Sequence, residues 1–388
     1  MIEFTPEHKE FRSTIRRFVE TELNPRVDEW EDAGIFPAHE VFKRLGELGA
    51  FGLEVDPEFG GQGADHTFTM VLGEELGRAD CAGVPMGIAV QACMSTPSLA
   101  RYGTPELKHR YLAPALRGEV VTSVAVSEPD AGSDVAGIRT KAVRDGDDWV
   151  ISGRKMWITN GSQADWICLL ARTVEPGQEA HYGYRGMSQI VVPTNTPGFS
   201  VGRLIKKMGN WSSDTAELVL DDVRVPVANT IGTVGQGFQQ QMAQFQDERL
   251  MGTYLAVAGA RRAIERTAVY LKDRHAFGEP LLANQHLRYR MAELVADAEV
   301  VHEYARSAGA LYAKGRDVTD MATIAKLKAG RLSREVADMA VQYHGGMGYA
   351  EEMWPARYFR DSRLISIGAG ADEVMLRIIS LLKGWERL

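Results

Sequence analysis

The sequence is poor in cysteine and contains no long apolar run. Its three cysteines, Cys81, Cys93 and Cys168, are widely spaced and odd in number. That pattern fits neither a disulfide framework nor a zinc site, and it indicates a reducing compartment. No run of about 18 apolar residues is present, so we expect no transmembrane helix and no membrane insertion.

An excess of positive charge is also missing. The formal net charge of the 388 residues is −8, which argues against a nucleic-acid partner because such a partner requires a basic face. The first residues, MIEFTPEHKEF, lack the basic and apolar regions of a targeting peptide, so we expect a cytoplasmic protein. With 45% hydrophobic and 25% charged residues, the composition is that of a globular protein of two or three domains.

The periodicity of apolar residues divides the chain into three parts. Residues 1–119 have helical spacing, beginning with an N-cap and N1 pair at Thr5 and Pro6. Residues 120–232 contain short β-rich segments separated by turn residues, which predicts a compact and mostly antiparallel β domain. Residues 233–388 return to helical spacing in four long runs, which predicts a four-helix bundle able to hold a site between facing helices.

One stretch of the third part concentrates charge near the start of a helix. Asp247, Glu248 and Arg249 lie within one helical turn, flanked by apolar residues such as Phe245 and Tyr254. A carboxylate on a buried helix can act as a general base. The alternative from the residues alone is a solvated or paired charged patch, the usual state of charged helical residues.

Four motifs together carry a resemblance to a known family. They are VSEPDAGSD at 126–134, KMWITNGS at 155–162, DRHAFGEPLLANQ at 273–285 and QYHGGMGYAEE at 342–352. With the helical, β, helical plan, they closely resemble the flavin-dependent acyl-CoA dehydrogenases over nearly the whole chain. The resemblance implies an N-terminal α-helical domain, a β-barrel-like middle domain, a C-terminal four-helix bundle and bound FAD.

The resemblance also implies which residues contact FAD. They are Val126, Ser127, Ser133, Trp157, Thr159, Arg274, Phe277, Gln285, Gln342, Gly345, Gly346 and Glu373. Arg274 and Gln285 correspond to family residues that reach the pyrophosphate and adenine end from a neighbouring subunit, and an arginine suits a diphosphate because it bonds two phosphate oxygens at once. Three alternatives stay open on the residues alone: a polar turn at 126–134, a core role for Trp157, and a helix-terminal cation at Arg274.

The position of the base departs from the commonest family pattern. In many members a glutamate follows Arg-Asp in the last segment, but the matching residue here is Ala369, with Gly370 behind it. The chain is similar to a minority that includes the isovaleryl-CoA and long-chain enzymes, whose base precedes an arginine on the first helix of the C-terminal domain. Glu248 stands at that position, followed by Arg249.

The resemblance then implies a reaction. Glu248 takes the α-proton of an acyl-CoA thioester while a hydride leaves the β-carbon for flavin N5, giving the trans-2-enoyl-CoA. The backbone N–H of Ala369 donates to the thioester oxygen, and Ser133, Arg249 and Gly370 contact substrate. Electrons pass to an electron-transferring flavoprotein, and the enzyme is a homotetramer.

We predict a branched or medium-to-long acyl chain, because the residues beside the thioester are small. The acyl-lining residues we expect, for which ordinary core packing is the alternative, are Met86, Ile88, Ala89, Val90, Met94 and Thr96. Two other functions remain open: a flavin-dependent oxidase on the same fold, and a non-catalytic flavin-bearing binding protein. The acidic net charge of −8 opposes a DNA-binding form of the second.

Overall fold

The computed structural model describes residues 4–175, 177 and 183–385. Helices form the first part of the chain, as its apolar spacing predicts, and they begin directly after Thr5. The α-helices are Pro6–Phe18 (α1), Val27–Ala33 (α2), Ala38–Glu47 (α3), His66–Leu76 (α4), Gly83–Ala89 (α5), Pro97–Tyr102 (α6), Pro105–Leu107 (α7) and Ala113–Leu116 (α8). Wider π-helical turns occupy Val19–Leu23, Val90–Ser95 and Lys108–Leu112.

The middle part is one eight-stranded sheet. Its strands are Thr122–Ala125 (β1), Lys141–Asp145 (β2), Asp148–Thr159 (β3), Trp166–Val174 (β4), Met187–Pro193 (β5), Phe199–Leu204 (β6), Thr215–Pro226 (β7) and Thr230–Ile231 (β8). The order is β6-β7-β3-β2-β4-β5-β8, with β1 paired to β4. Most neighbours are antiparallel, whereas β4 runs parallel to both β1 and β2.

The last part is helical again. Its helices are Gly237–Asp273 (α9), Gln285–Tyr312 (α10), Thr319–His344 (α11), Gly346–Tyr349 (α12), Trp354–Ser362 (α13) and Asp372–Leu382 (α14). A two-stranded hairpin, His275–Ala276 (β9) with Glu279–Pro280 (β10), joins α9 to α10. The fourth predicted run, α14, has only 11 residues, so three of the four helices are long. Short 3-10 turns lie at Asn24–Arg26, Pro57–Phe59, Val135–Gly137, Val227–Asn229, Leu281–Ala283 and Arg363–Ser366.

Helix α9 packs against elements of all three parts. It lies against α10 and α11, against α4 and the π-turn Val90–Ser95, and its first turn touches β5. Two close approaches depend on glycine. A Cβ at Gly73 of α4 would lie 2.8 Å from Tyr254 Cβ, and one at Gly237 would lie 2.5 Å from the Ser188 carbonyl carbon. Groups on α9 are therefore placed by the whole molecule.

The core follows the same division. One apolar cluster fills the N-terminal helices, a second lies within the sheet around Trp149 and Leu218, and two more lie between the C-terminal helices. Cys81, Cys93 and Cys168 are buried and free. No helix among the described residues combines the length and the apolar character that a membrane crossing requires.

Candidate active site

Glu248 lies inside the molecule, on the face of α9 that meets the N-terminal helices. Its side chain is buried, with 6% of the residue exposed, so the solvated-patch alternative is wrong. One carboxylate oxygen accepts hydrogen bonds from Gln244 Nε2 at 3.1 Å and Gln241 Nε2 at 3.2 Å. Burial raises the pKa of Glu248 to about 8, because a buried carboxylate disfavours its charged form.

Both glutamines are fixed by the other two parts of the chain. The Gln244 carbonyl oxygen accepts from the backbone N–H of Ser98 at 3.1 Å, and its amide donates to the Met94 carbonyl. The Gln241 carbonyl oxygen accepts from Gln189 Nε2 of β5 at 3.0 Å. The carboxamides therefore hold the Glu248 carboxylate against both the N-terminal helices and the sheet.

Asp247, the residue before, has a different environment. Its carboxylate accepts from Arg101 Nη2 at 2.6 Å, and the same guanidinium nitrogen lies 2.7 Å from the Tyr312 hydroxyl. Glu54 and His66, bonded to each other at 2.8 Å, lie close by. Burial raises the pKa of Asp247, while the Arg101 charge opposes that rise.

Arg249 is buried too. Its Nη1 donates to the Thr323 hydroxyl of α11 at 3.2 Å, and its guanidinium carbon lies 5.7 Å from the centre of the Phe245 ring. Burial lowers the pKa of Arg249. Among the described residues no carboxylate lies within ion-pair distance of this guanidinium.

The turn at 369–370 faces the same stretch of α11. Lys326, one helical turn after Thr323, donates from Nζ to the Gly370 carbonyl. Ala369 has a φ of 52° and Gly370 a φ of 97°, so the turn is left-handed. No described residue accepts a hydrogen bond from the Ala369 N–H. Helix α11 thus contacts both Arg249, the residue after Glu248, and the turn that carries the Ala369 N–H.

The loop 126–134 is tied to strand β3. The Val126 carbonyl accepts from Lys155 Nζ at 2.8 Å, and the Ser127 carbonyl accepts from the Met156 N–H at 2.9 Å. Next to these bonds, Trp157 lies at a register shift of β3 with a φ of 66°. Its side chain turns out of the sheet and is 57% exposed, so the core alternative for Trp157 is wrong.

Ser133 belongs to the loop 126–134, and Thr159 follows this tryptophan by two residues in β3. Ser133 is exposed in the loop, and Thr159 is the last residue of β3, where its carbonyl accepts from the Ser123 hydroxyl at 2.5 Å. Both hydroxyl groups are free of side-chain partners among the described residues. The motif therefore forms an open surface that carries an aromatic ring and two hydroxyls.

The remaining predicted cofactor residues lie at the outer surface of the C-terminal helices. Arg274 and Gln285 flank the hairpin after α9, and Phe277 at its tip is fully exposed with a φ of 56°. Gln342 lies in the last turn of α11, Gly345 follows that helix, and Gly346 begins α12. Glu373 is exposed in the first turn of α14. No hydrogen bond or ion pair in the described part of the chain joins these residues to Glu248.

An apolar pocket lies farther along the face of α9 that carries Glu248. Leu255, Gly259 and Arg262 line it from that helix, opposite Met86 and Tyr358. The spacing places these α9 residues on the same face as Glu248. Helical rise is about 1.5 Å per residue, so the path from Glu248 to Gly259 is roughly 16 Å long.

The structure divides the predicted acyl-lining set. Met86 borders the apolar pocket just described, whereas Thr96 borders a polar pocket with Asp247 and Arg101. Ile88 and Ala89 are buried in the core of the N-terminal helices. For these two, the core alternative describes what the structure shows.

Gln241, Gln244, Thr323 and Lys326 were not found from the sequence. Gln244 stands one turn before Glu248, so the spacing of the two residues in the helix would have suggested their hydrogen bond. Lys326 is about forty residues from the turn that it contacts, and nothing in the sequence alone connects them.

Comparison with known proteins matches the whole chain. Family models describe the acyl-CoA dehydrogenase N-terminal domain at residues 5–119, middle domain at 123–223 and C-terminal domain at 235–381. A probable acyl-CoA dehydrogenase, YngJ of Bacillus subtilis, is 34% identical over 97% of this chain and 98% of its own. The mouse mitochondrial long-chain specific acyl-CoA dehydrogenase is 34% identical over 97% of this chain and 86% of its own.

A solved structure agrees with the fold. A putative acyl-CoA dehydrogenase from Mycobacterium smegmatis superposes with a TM-score of 0.94 at 37% identity, covering 99% of both chains. The arrangement of N-terminal helices, middle sheet and C-terminal helices is thus that of the family. From its sequence, its fold and these matches, the chain belongs to the acyl-CoA dehydrogenase family of flavoproteins and is an oxidoreductase that acts on acyl-CoA.

Proposed function

We propose that the protein dehydrogenates an acyl-CoA to the trans-2-enoyl-CoA with Glu248 as the base. The observation that carries the proposal is the buried Glu248 carboxylate, held by two neutral carboxamides. Its pKa of about 8 suits a group that must accept a proton near neutral pH. Ala369 has no carboxylate, so the residue at the position of the base in many family members cannot accept a proton here.

The chemistry needs a second group, because the α-proton of a thioester is weakly acidic. As that proton leaves, negative charge develops on the thioester oxygen, and a preorganised N–H donor is worth about 3–4 kcal/mol there. The free N–H of Ala369 fits this role, since it has no acceptor among the described residues. We assign Arg249 and Gly370 to the substrate space beside Ala369, and Ser133 to the CoA part of the substrate.

FAD fits the surface formed by the cofactor residues. Trp157 exposes an aromatic face against which a planar ring can stack, and we assign the hydroxyls of Ser127, Ser133 and Thr159 to polar contacts with the cofactor. Val126 supplies backbone atoms at the same edge. When bound, FAD supplies the acceptor for the hydride that leaves the β-carbon.

The second cofactor region lies at the surface, which suits a site completed by another subunit. Arg274 is exposed and has no carboxylate partner in the described part of the chain, so it can pair with a pyrophosphate. Phe277, Gln285, Gln342, Gly345, Gly346 and Glu373 are the residues that we assign with it. A fully exposed phenylalanine at a hairpin tip is typical of a group that a partner covers.

We assign a homotetramer, and exposed apolar side chains support contacts between subunits. Helices α10 and α14 expose Tyr289, Val300, Leu381 and Leu382, apolar side chains that a partner subunit would cover. We assign a cytoplasmic enzyme whose electrons pass to an electron-transferring flavoprotein. Light scattering on the purified protein tests the tetramer: a monomer at micromolar concentration would contradict it.

The acyl chain that fits best is branched or of medium to long length. Beyond Glu248 the same face of α9 presents Gly252, where an added Cβ would meet nothing within 4 Å. In the helix this position lies between Glu248 and the apolar pocket at Leu255 and Gly259, and we propose that the acyl chain follows this face of α9 away from the base. The path is longer than a butyryl group, and small residues at 369–371 leave room for branching.

The test is anaerobic mixing of the FAD-loaded protein with straight and branched acyl-CoAs, following flavin absorbance and the product. We expect bleaching and trans-2-enoyl-CoA with medium, long or branched chains. No bleaching with any thioester would contradict the proposal and favour the binding protein. Turnover with peroxide release in air, without an added acceptor, would favour the oxidase.

A graded pair of substitutions tests the path of the acyl chain. Gly252→Ala adds one carbon and Gly252→Leu adds four, so kcat/KM for a long acyl-CoA falls a little in the first and at least tenfold in the second. Activity with butyryl-CoA, which ends before the blocked space, stays within threefold. Equal losses for short and long chains would show that the chain takes another route.

A further inference from the structure

A buried ammonium lies behind the turn at 369–370. Only 2% of Lys326 is exposed, and no carboxylate lies within ion-pair distance of its Nζ among the described residues. Its described hydrogen bond goes to the Gly370 carbonyl. Lysine is almost never fully buried without a charged partner, because removing the charge from water is costly.

A second buried cation lies beside the first. Arg249 also has no carboxylate within ion-pair distance in the described part of the chain, and its Nε has no hydrogen-bond acceptor there. The two cations repel each other, since the charge of Arg249 disfavours the charged form of Lys326. Asp372, whose effect on the pKa of Lys326 exceeds that of Arg249, and Glu373 act in the opposite direction, but neither lies within ion-pair distance of Nζ. Among the described residues, the two cations therefore lie together without a carboxylate paired to either of them.

The turn itself is strained. A left-handed conformation is disfavoured for an alanine because its Cβ crowds the backbone, and Ala369 adopts it with a φ of 52°. Gly370 is also left-handed, and a Cβ there would lie 2.5 Å from Met375 Cε. A strained turn persists only where its surroundings fix it, and the Lys326 hydrogen bond fixes the Gly370 carbonyl.

We propose that Lys326 is a positioning residue for the reaction, which holds the 369–370 turn so that the Ala369 N–H points at the thioester oxygen. Its charge adds to that of Arg249 at the place where negative charge develops. Both effects are stronger in a buried site than in water. The inference rests on the proposed function, since it assigns a role within the same site.

The test uses acetoacetyl-CoA, a thioester whose acidic α-carbon ionises without being oxidised. Bound to the FAD-loaded protein, its enolate is followed by near-ultraviolet absorbance as the pH is raised. In Lys326→Met we expect the midpoint of this ionisation to rise by about one pH unit, a tenfold weaker hold on the enolate. Lys328→Met, an exposed lysine of the same helix, leaves the midpoint unchanged.

Two further variants separate folding from positioning. Lys326→Arg retains charge and donors, so it recovers a midpoint near the wild type, while Lys326→Gln retains only a donor and recovers less. These two decide the question if Lys326→Met does not fold. A folded Lys326→Met or Lys326→Gln that ionises acetoacetyl-CoA like Lys328→Met would overturn the inference. A wild type that ionises no acetoacetyl-CoA would instead count against the proposed function.

Discussion

Asp247 and Glu248 are adjacent carboxylates on one helix, and both are buried, with 3% and 6% of each residue exposed. Asp247 faces the N-terminal helices and is paired with the Arg101 guanidinium at 2.6 Å. Glu248 faces the neutral amides of Gln241 and Gln244. An ion pair favours the charged form of a carboxylate, whereas neutral donors compensate burial only in part. The hydrogen-bond partner of each carboxylate, more than its degree of burial, therefore determines which of the two is suited to accept a proton.

The difference also separates stability from chemistry. Asp247, Arg101 and Tyr312 link α6, α9 and α10, so this group holds elements together. The buried environment of Glu248 disfavours its charged form and so raises its pKa. Enzymes in which two nearby carboxyl groups take different roles show the same pattern. We therefore expect substitutions on the Asp247 side to change folding, and substitutions on the Glu248 side to change proton transfer.

The largest expected effect is on the Asp247 side. Arg101→Met leaves a buried carboxylate without its partner, which typically costs about 3–5 kcal/mol of unfolding free energy. Urea denaturation measures this loss, and flavin reduction by the folded fraction should stay within about fivefold. The matched control is Arg117→Met, which breaks the exposed pair with Glu119 at 2.8 Å and costs less than about 1 kcal/mol. Equal losses of unfolding free energy in the two variants would contradict a stabilising role for the buried Arg101–Asp247 pair.

An intermediate effect is expected on the stability of the Glu248 side. Folding raises the pKa of Glu248 from 4.5 to about 8, so the folded state holds this proton more tightly than the unfolded chain. Stability is therefore lost as the pH rises from about 4.5 through about 8.

Glu248→Gln removes this loss, because its amide carries no charge at any pH. The variant should melt above the wild type at pH 9, and the two should converge near pH 4.5, the ordinary pKa of the carboxyl. Thermal unfolding across that range measures it. A variant less stable than the wild type at pH 9 would mean that the carboxylate is stabilised where it lies.

The smallest effect concerns the carboxamides. The hydrogen bond from Gln244 lowers the pKa of Glu248 against the effect of burial. Gln244→Leu removes this donor, so the midpoint of the pH–rate profile should move upward by about 0.5–1 unit. Gln240→Leu, at a buried position that has no bond to Glu248, serves as the control. A midpoint that does not move, or that moves equally in both variants, would show that the amide does not set the pKa.

Much of the fold was predictable because its signals are local. Apolar spacing and turn residues gave the order of helices, sheet and helices, and Ala369 together with Glu248 suggested where the base lies. Helix α14 is shorter than the long run that was expected there, although the apolar residues that predicted it, from Val374 to Leu382, all lie within it. Exposure of Trp157 was not predictable from its type, because it depends on an irregular register between β3 and β7.

The contacts that could not be predicted from the sequence join residues far apart in the chain. The Lys326 bond to Gly370, the Gln241 bond to β5 and the Arg101 bond to Asp247 each join elements far apart in the chain. From residue type alone, it cannot be seen that the Asp247 carboxylate forms a buried ion pair whereas the Glu248 carboxylate does not. Only their partners in the folded chain distinguish them.

The most direct test of the central claim is single-turnover reduction of bound FAD by a medium-chain acyl-CoA, measured without oxygen from pH 6 to pH 9. The wild-type rate constant should rise with pH through a midpoint near pH 8, where Glu248 loses its proton. Glu248→Gln should reduce FAD about 10³-fold more slowly than the wild type at high pH, with FAD still bound. Asp247→Asn should keep the rate constant within tenfold of the wild type and the midpoint of the pH profile within about one pH unit. Reduction at the wild-type rate in Glu248→Gln, or its loss only in Asp247→Asn, would contradict the assignment of Glu248 as the base.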